Sequence, residues 1–151
     1  MSSKLTDTRI TPPELLGRID RALYGFHDVC PVNGTQGLEP DEWRYPSIYC
    51  NPPGSLKKAF ARLWVEYRDA RECGCWMEFN WDHSTDSFNY IEAASSAVVL
   101  LWNRWKFEGP DAKTGEWRPH EVGRSQALFF DRVHIDDVER EFEDIGYVWE
   151  L

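Results

Sequence analysis

Apolar side chains recur along this chain in two rhythms. Between Thr11 and Tyr24 they fall at helical spacing: Leu15, Leu16, Ile19, Ala22 and Leu23 share one face, as residues three and four apart do on an α-helix. Thr11 is placed to cap that helix, Pro12 suits its first turn, Glu14 favours its positive end, and Gly25 ends it. The rhythm returns over residues 55–70. There Leu56, Ala59, Phe60, Leu63, Trp64 and Tyr67 line one side, while Lys57, Lys58, Arg62 and Arg68 take much of the other.

Shorter apolar or alternating runs predict strands at 26–30, 47–51, 75–81, 97–102 and 126–131. The run Ala97 to Trp102 is apolar throughout, which suits a strand buried on both faces. Residues 87–96 and 136–143 predict two further short helices, and 147–151 an edge strand. Arg104 to Phe107 and the segment from Trp117 onward predict a hairpin about the intervening Gly and Pro residues. Residues 32–45 are rich in Gly, Asn, Pro and acids and predict an irregular loop. The order α-β-β-α-β-α-β-β-β-α-β predicts an α/β fold with a mixed sheet and helices on both faces. No linker or repeat interrupts it, so residues 1–151 form one expected domain, with an acidic C-terminal element at 132–151.

Composition narrows the function. With 151 residues and 42% hydrophobic content, the chain can bury a real core. The net charge of −9 is unevenly spread: residues 131–151 hold eight acids and two arginines, so −6 of it lies there. No strongly basic stripe balances it, which argues against a tight, non-specific nucleic-acid binder. The longest apolar run is far too short to span a membrane, and no signal peptide is evident. Cys30, Cys50, Cys73 and Cys75 fit free thiols, and a cytoplasmic location is expected. Cys73-Gly74-Cys75 lacks a matching second pair, so no metal site is expected.

The most informative stretch is Asn51-Pro52-Pro53-Gly54, set directly after the run Ser47 to Cys50. Two consecutive prolines donate no N–H and cannot continue a strand ladder. Asn51, before a proline, is pushed into an extended conformation. The strand therefore ends abruptly and presents one amide side chain and a row of carbonyls at its carboxyl edge, where ligands of open α/β sheets bind. Such a rigid cluster of acceptors suits gripping an NH2 group.

Several motifs, in order, resemble the compact phage-type DNA N6-adenine methyltransferases, a family built on a shortened Rossmann-like methyltransferase fold. The matching pieces are Asp7 to Pro12 before the first helix, Gly25 to Pro31 at the first strand, and Gly37-Leu38 with Trp43. Tyr49 to Gly54, Asn103 to Gly109 and Ser125 to Phe130 follow. They span about residues 7–131. The resemblance implies that S-adenosylmethionine is the cofactor, DNA the partner, and a phage or prophage the origin.

It also implies residue roles. The Asn51 side-chain oxygen and the Pro52 carbonyl would accept both hydrogens of the adenine amino group, with Pro53 fixing the turn. Asp28, Cys30 and Pro31 would line the cofactor pocket, and Thr11 and Pro12, at a helix N-terminus, would receive the cofactor's carboxylate. Gly54 stands where most members of the wider class carry an aromatic that stacks on the base. Tyr49, Trp43 and Phe60 are the rings near enough in sequence to replace it. With no room for a separate recognition domain, DNA would be held by basic side chains including Lys57, Lys58, Arg104 and Lys106; Arg104 and Lys106 are expected to share one strand face. Two other readings stay open: a binding or regulatory protein on the same fold with catalysis lost, and a methyltransferase with a non-DNA amino acceptor.

Overall fold

The computed structural model describes residues 9–30, 36–79, 85–123 and 125–151. Helix α1 (Pro13–Leu23) precedes the short strand β1 (His27–Asp28). Two 3-10 turns, Gln36–Leu38 and Pro40–Trp43, lead to β2 (Ser47–Cys50). A third, Gly54–Leu56, opens α2 (Lys57–Glu66), which is followed by β3 (Cys73–Phe79). Then come α3 (Asp86–Ala93), β4 (Ala97–Leu101) and the hairpin β5 (Lys106–Pro110) with β6 (Trp117–Glu121). The chain closes with β7 (Gln126–Asp131), α4 (Ile135–Phe142) and β8 (Gly146–Glu150).

Six strands form one mixed sheet in the order β1-β2-β3-β7-β4-β8. β1, β2 and β3 run parallel, β7 lies antiparallel between β3 and β4, and β8 pairs antiparallel with β4. The four strands β1 to β4 therefore point the same way and share a carboxyl edge.

Alternation along the strands divides the core. Tyr49, Cys75, Met77, Val99, Leu128 and Phe130 pack with Leu15 and Ile19 of α1 and with Val138 and Phe142 of α4. Their neighbours Ile48, Cys50, Trp76, Val98 and Phe129 pack with Phe60, Ala61 and Trp64 of α2 and Ile91 of α3. Successive side chains of a strand point to opposite faces, so helices cover both faces, as the pattern predicts. The acidic terminal element is part of this body: α4 buries Val138 and Phe142, and β8 closes one edge of the sheet. Among the described residues, no helix is long and apolar enough to cross a membrane.

Of the expected irregular loop 32–45, the described part, residues 36–45, is ordered by two 3-10 turns and a buried side chain. Trp43 is fully buried, donates its indole N–H to the Gly37 carbonyl, and packs against Phe60. Gly37 permits this because a Cβ there would lie 1.8 Å from the Val29 carbonyl oxygen; only glycine lets the two backbones approach so closely.

Candidate functional site

The described residues that end or directly follow β1, β2 and β3 lie at their carboxyl edge. Asp28 ends β1, Asn51-Pro52-Pro53-Gly54 follows β2, and Glu78 and Phe79 end β3. The β5–β6 hairpin grows from the same edge. Glu108 of β5 pairs with Ile10, and Phe107 packs edge-on against Phe79 at 5.0 Å. That pairing holds residues 9–11 beside the end of β2.

Asn51 is the centre of this arrangement. It is 9% exposed, and its Nδ2 donates to the Arg9 carbonyl at 2.8 Å and to Thr11 Oγ1 at 3.3 Å. A backbone carbonyl only accepts, so the amide group facing Arg9 must be the NH2 end. Among the described residues no hydrogen bond to its oxygen is seen, and that oxygen is the group the side chain can offer a ligand. Thr11 Oγ1 also shares a 2.6 Å hydrogen bond with the Tyr49 hydroxyl. Burial holds the Tyr49 phenol well above its usual range, so it stays a neutral O–H.

On the neighbouring strand, Asp28 Oδ1 accepts the Cys30 backbone N–H at 2.8 Å. Burial raises the Asp28 carboxyl above its ordinary range, although the Cys30 N–H and His27 oppose the shift. The Cys30 and Cys50 sulfurs lie 3.5 Å apart, and the Asn51 backbone N–H points at Cys30. Burial pushes both thiols up, Cys50 well above its usual value. Both therefore act as packed thiols rather than nucleophiles.

The structure thus brings Asn51, Thr11, Asp28 and Cys30 together, with several corrections of role. Thr11 caps no helix: Pro12 occupies the N-cap position and makes no side-chain cap bond. The Thr11 hydroxyl, 5% exposed, is taken by Tyr49 and Asn51, which leaves it unsuited to an incoming carboxylate. Pro12 and Pro13 also remove two N–H donors from that helix end. Tyr49, 1% exposed, is no stacking platform, and Trp43 and Phe60 are likewise sealed in the core. Pro31, the rest of the expected cofactor set, lies outside the described residues.

The basic residues scatter. Lys57 is bound to the buried carboxylate of Glu78, whose other oxygen accepts the Trp76 indole N–H at 2.8 Å. That makes it an anchor for the start of α2 instead of a DNA contact. Lys58 is exposed on the same helix. Arg104 lies before β5 rather than on it, bonded to the Gly123 carbonyl and to Glu121. Lys106 faces the same Glu121 across the hairpin. An acid therefore offsets the pair expected to share a face.

No protein-family model matches the chain, and no curated protein matches it significantly. Sequence reasoning passed over two parts of the site. One is Arg9, which acts through its backbone. The other is Glu78, whose place in an alternating strand was visible but whose partner was not.

Proposed function

We propose that this chain is an S-adenosylmethionine-dependent methyltransferase acting on the exocyclic N6 amino group of adenine in DNA, on a compact Rossmann-like methyltransferase fold. The observation that carries this is the fixed amide of Asn51, held with its donors inward at the carboxyl end of β2. The four co-directed strands ending at that edge support the fold part of the reading.

The adenine nitrogen is a weak nucleophile because its lone pair is delocalised into the ring. Asn51 Oδ1 and the Pro52 carbonyl would accept its two hydrogens and localise that lone pair. Both are acceptors fixed before substrate arrives, so the contribution is orientation and electrostatics without a covalent intermediate. S-adenosylmethionine would supply the electrophilic methyl group. Of the expected cofactor set, Asp28 and Cys30 fit: they sit beside Asn51, and a carboxylate at the end of the first strand can accept ribose hydroxyls. The adenine must leave a duplex stack to reach such a site.

Transfer of labelled methyl groups from S-adenosylmethionine to DNA tests the reading. Wild-type protein should label DNA, and Asn51→Ala should abolish labelling while keeping its fold. Running single- and double-stranded DNA, RNA and free nucleosides side by side identifies the acceptor, since the amide geometry recognises an NH2 on any planar group. A folded wild-type protein that labels none of them overturns the proposal.

One observation favours a second reading, a binding protein on this fold without catalysis. Gly54 offers no ring, and Tyr49, Trp43 and Phe60 are buried. Titration calorimetry showing no binding of S-adenosylmethionine would support it.

A further inference from the structure

Asp131 ends β7 at the edge of the sheet opposite Asn51, and its side chain is completely buried. Three arginines converge on this one carboxylate. Arg71 approaches through Nε at 3.2 Å and Nη2 at 3.0 Å, Arg68 through Nη2 at 3.3 Å, and Arg132 through Nη2 at 3.3 Å. Among the described residues, no other carboxylate pairs with any of the three. Three positive charges therefore face one negative charge, inside a protein whose net charge is −9.

The cluster is built rather than incidental. Arg71 is 2% exposed, lies over the Trp64 ring at 4.0 Å and donates to the Trp64 carbonyl at 2.7 Å. Desolvation, with Arg132 and Arg68 acting in the same direction, lowers its guanidinium to about 10 despite Asp131. Gly74 leaves room for it, because a Cβ there would lie 2.9 Å from the Trp64 ring and 3.4 Å from Arg71 Cδ. Arg132 has a φ of 55°, a left-handed conformation that non-glycine residues rarely adopt. Its Nη2 also donates to the Arg68 carbonyl, and its backbone N–H donates to Ser96 Oγ. Arg68 and Arg132 keep 41% and 40% of their side chains exposed. Among the described residues, the buried Nε of Arg68 has no acceptor.

We infer that the half-exposed Arg68 and Arg132, backed by the charge of the buried Arg71, form a binding site for a phosphate group at the amino edge of the sheet. Guanidinium planes match the oxygens of a tetrahedral oxyanion through paired N–H donors. An excess of two positive charges matches a phosphate dianion better than a carboxylate. The site lies across the sheet from Asn51 and stands whether or not the chain transfers methyl groups.

Titration of the full chain with inorganic phosphate, at ionic strength held constant with chloride, tests it. The side-chain Nε–Hε signals of Arg68, Arg71 and Arg132 are followed by NMR. Saturable shifts of these signals are expected, together with a rise in Tm as phosphate is added. In the double variant Arg68→Gln/Arg132→Gln, which keeps the buried Arg71–Asp131 pair, phosphate affinity should fall at least about tenfold and the Tm response should vanish. Shifts without saturation, an equal response to chloride, or an unchanged response in the folded variant would overturn the site. A labelled DNA duplex separates the sources. If the duplex moves the same signals and binds the variant more weakly, the phosphate belongs to nucleic acid. If it leaves them unmoved, the ligand is a free phosphate or monoester.

Discussion

The hydroxyl groups of Thr11 and Tyr49 lie 2.6 Å apart, although 38 residues separate them in the chain. Thr11 is at once a partner of Tyr49 and an acceptor for Asn51, so one small hydroxyl orients the amide at the end of β2. Thr11→Val removes both bonds at nearly constant volume and leaves a buried phenol unpaired. A loss of about 1–3 kcal/mol in stability is expected, read from the denaturant midpoint, with Thr11→Ser recovering most of it. A valine variant as stable as wild type would show that the hydroxyl has no such role.

Gly54 and Gly37 should behave oppositely. A Cβ at Gly54 would meet nothing within 4 Å, whereas one at Gly37 would strike the Val29 carbonyl and the Phe60 ring. Gly37→Ala should cost about 3 kcal/mol or fail to fold, as overpacking against backbone does. Gly54→Tyr should fold normally and offer the missing ring. Base–aromatic stacking is worth about 1–3 kcal/mol, so binding of single-stranded, adenine-containing DNA should tighten roughly tenfold. Fluorescence anisotropy of wild type and variant gives the comparison, and equal affinities would refute the stacking argument.

Asp28 sets a pH dependence with a definite sign. Its carboxyl is raised in the folded state, chiefly by burial, so the folded protein binds its proton more tightly than the unfolded chain. Below the unfolded value the group costs nothing. As pH rises through the ordinary carboxylate range toward the folded value, stability is lost, and the loss stays constant above it. Asp28→Asn keeps the acceptor for the Cys30 N–H and removes the titration. The variant should be more stable than wild type at neutral pH, with the gap closing as pH falls through that range. Urea midpoints measured across pH check this, and a gap that widens in acid would reverse the assignment.

Lys57 and Lys58 are adjacent in sequence but not in role. Lys57→Ala leaves the Glu78 carboxylate, 1% exposed, without its cation. Removing one partner of a buried pair is strongly destabilising, and about 2–3 kcal/mol is expected because Lys57 is itself partly exposed. Lys58→Ala should change stability by less than about 0.5 kcal/mol. Thermal unfolding of the two variants side by side decides the matter. Equal effects would mean that Lys57 is an ordinary surface charge.

What could be read from the chain beforehand follows from the range of each interaction. The helical faces of α1 and α2 and the abrupt stop at Pro52-Pro53 are local, and each left a local pattern. The partner of Thr11 was not legible, because a helix cap and a long-range hydroxyl pair place the same residue before the same prolines. Lys57 fell on the polar side of an amphipathic pattern. Its ion pair depends on a carboxylate brought in by another strand, which periodicity along one helix cannot register. Trp43 was hidden by its surroundings: glycines and prolines that usually mark a surface loop here let the backbone come close enough to bury an indole. The position of β7 left no trace at all, since strand order is decided by packing between distant segments.

That position governs how the molecule can be made. In the sheet, β7 lies between β3 and β4 and bonds to both, and its last residue, Asp131, comes late in the chain. On a ribosome, the first hundred residues emerge as the ribbon β1-β2-β3 and the single strand β4, whose partners β7 and β8 follow later, and the edge of β3 stays open to foreign strands. One late segment of six residues joins β4 to that ribbon and buries its edge. A transcript cut short before it would yield an adhesive fragment instead of a smaller working protein.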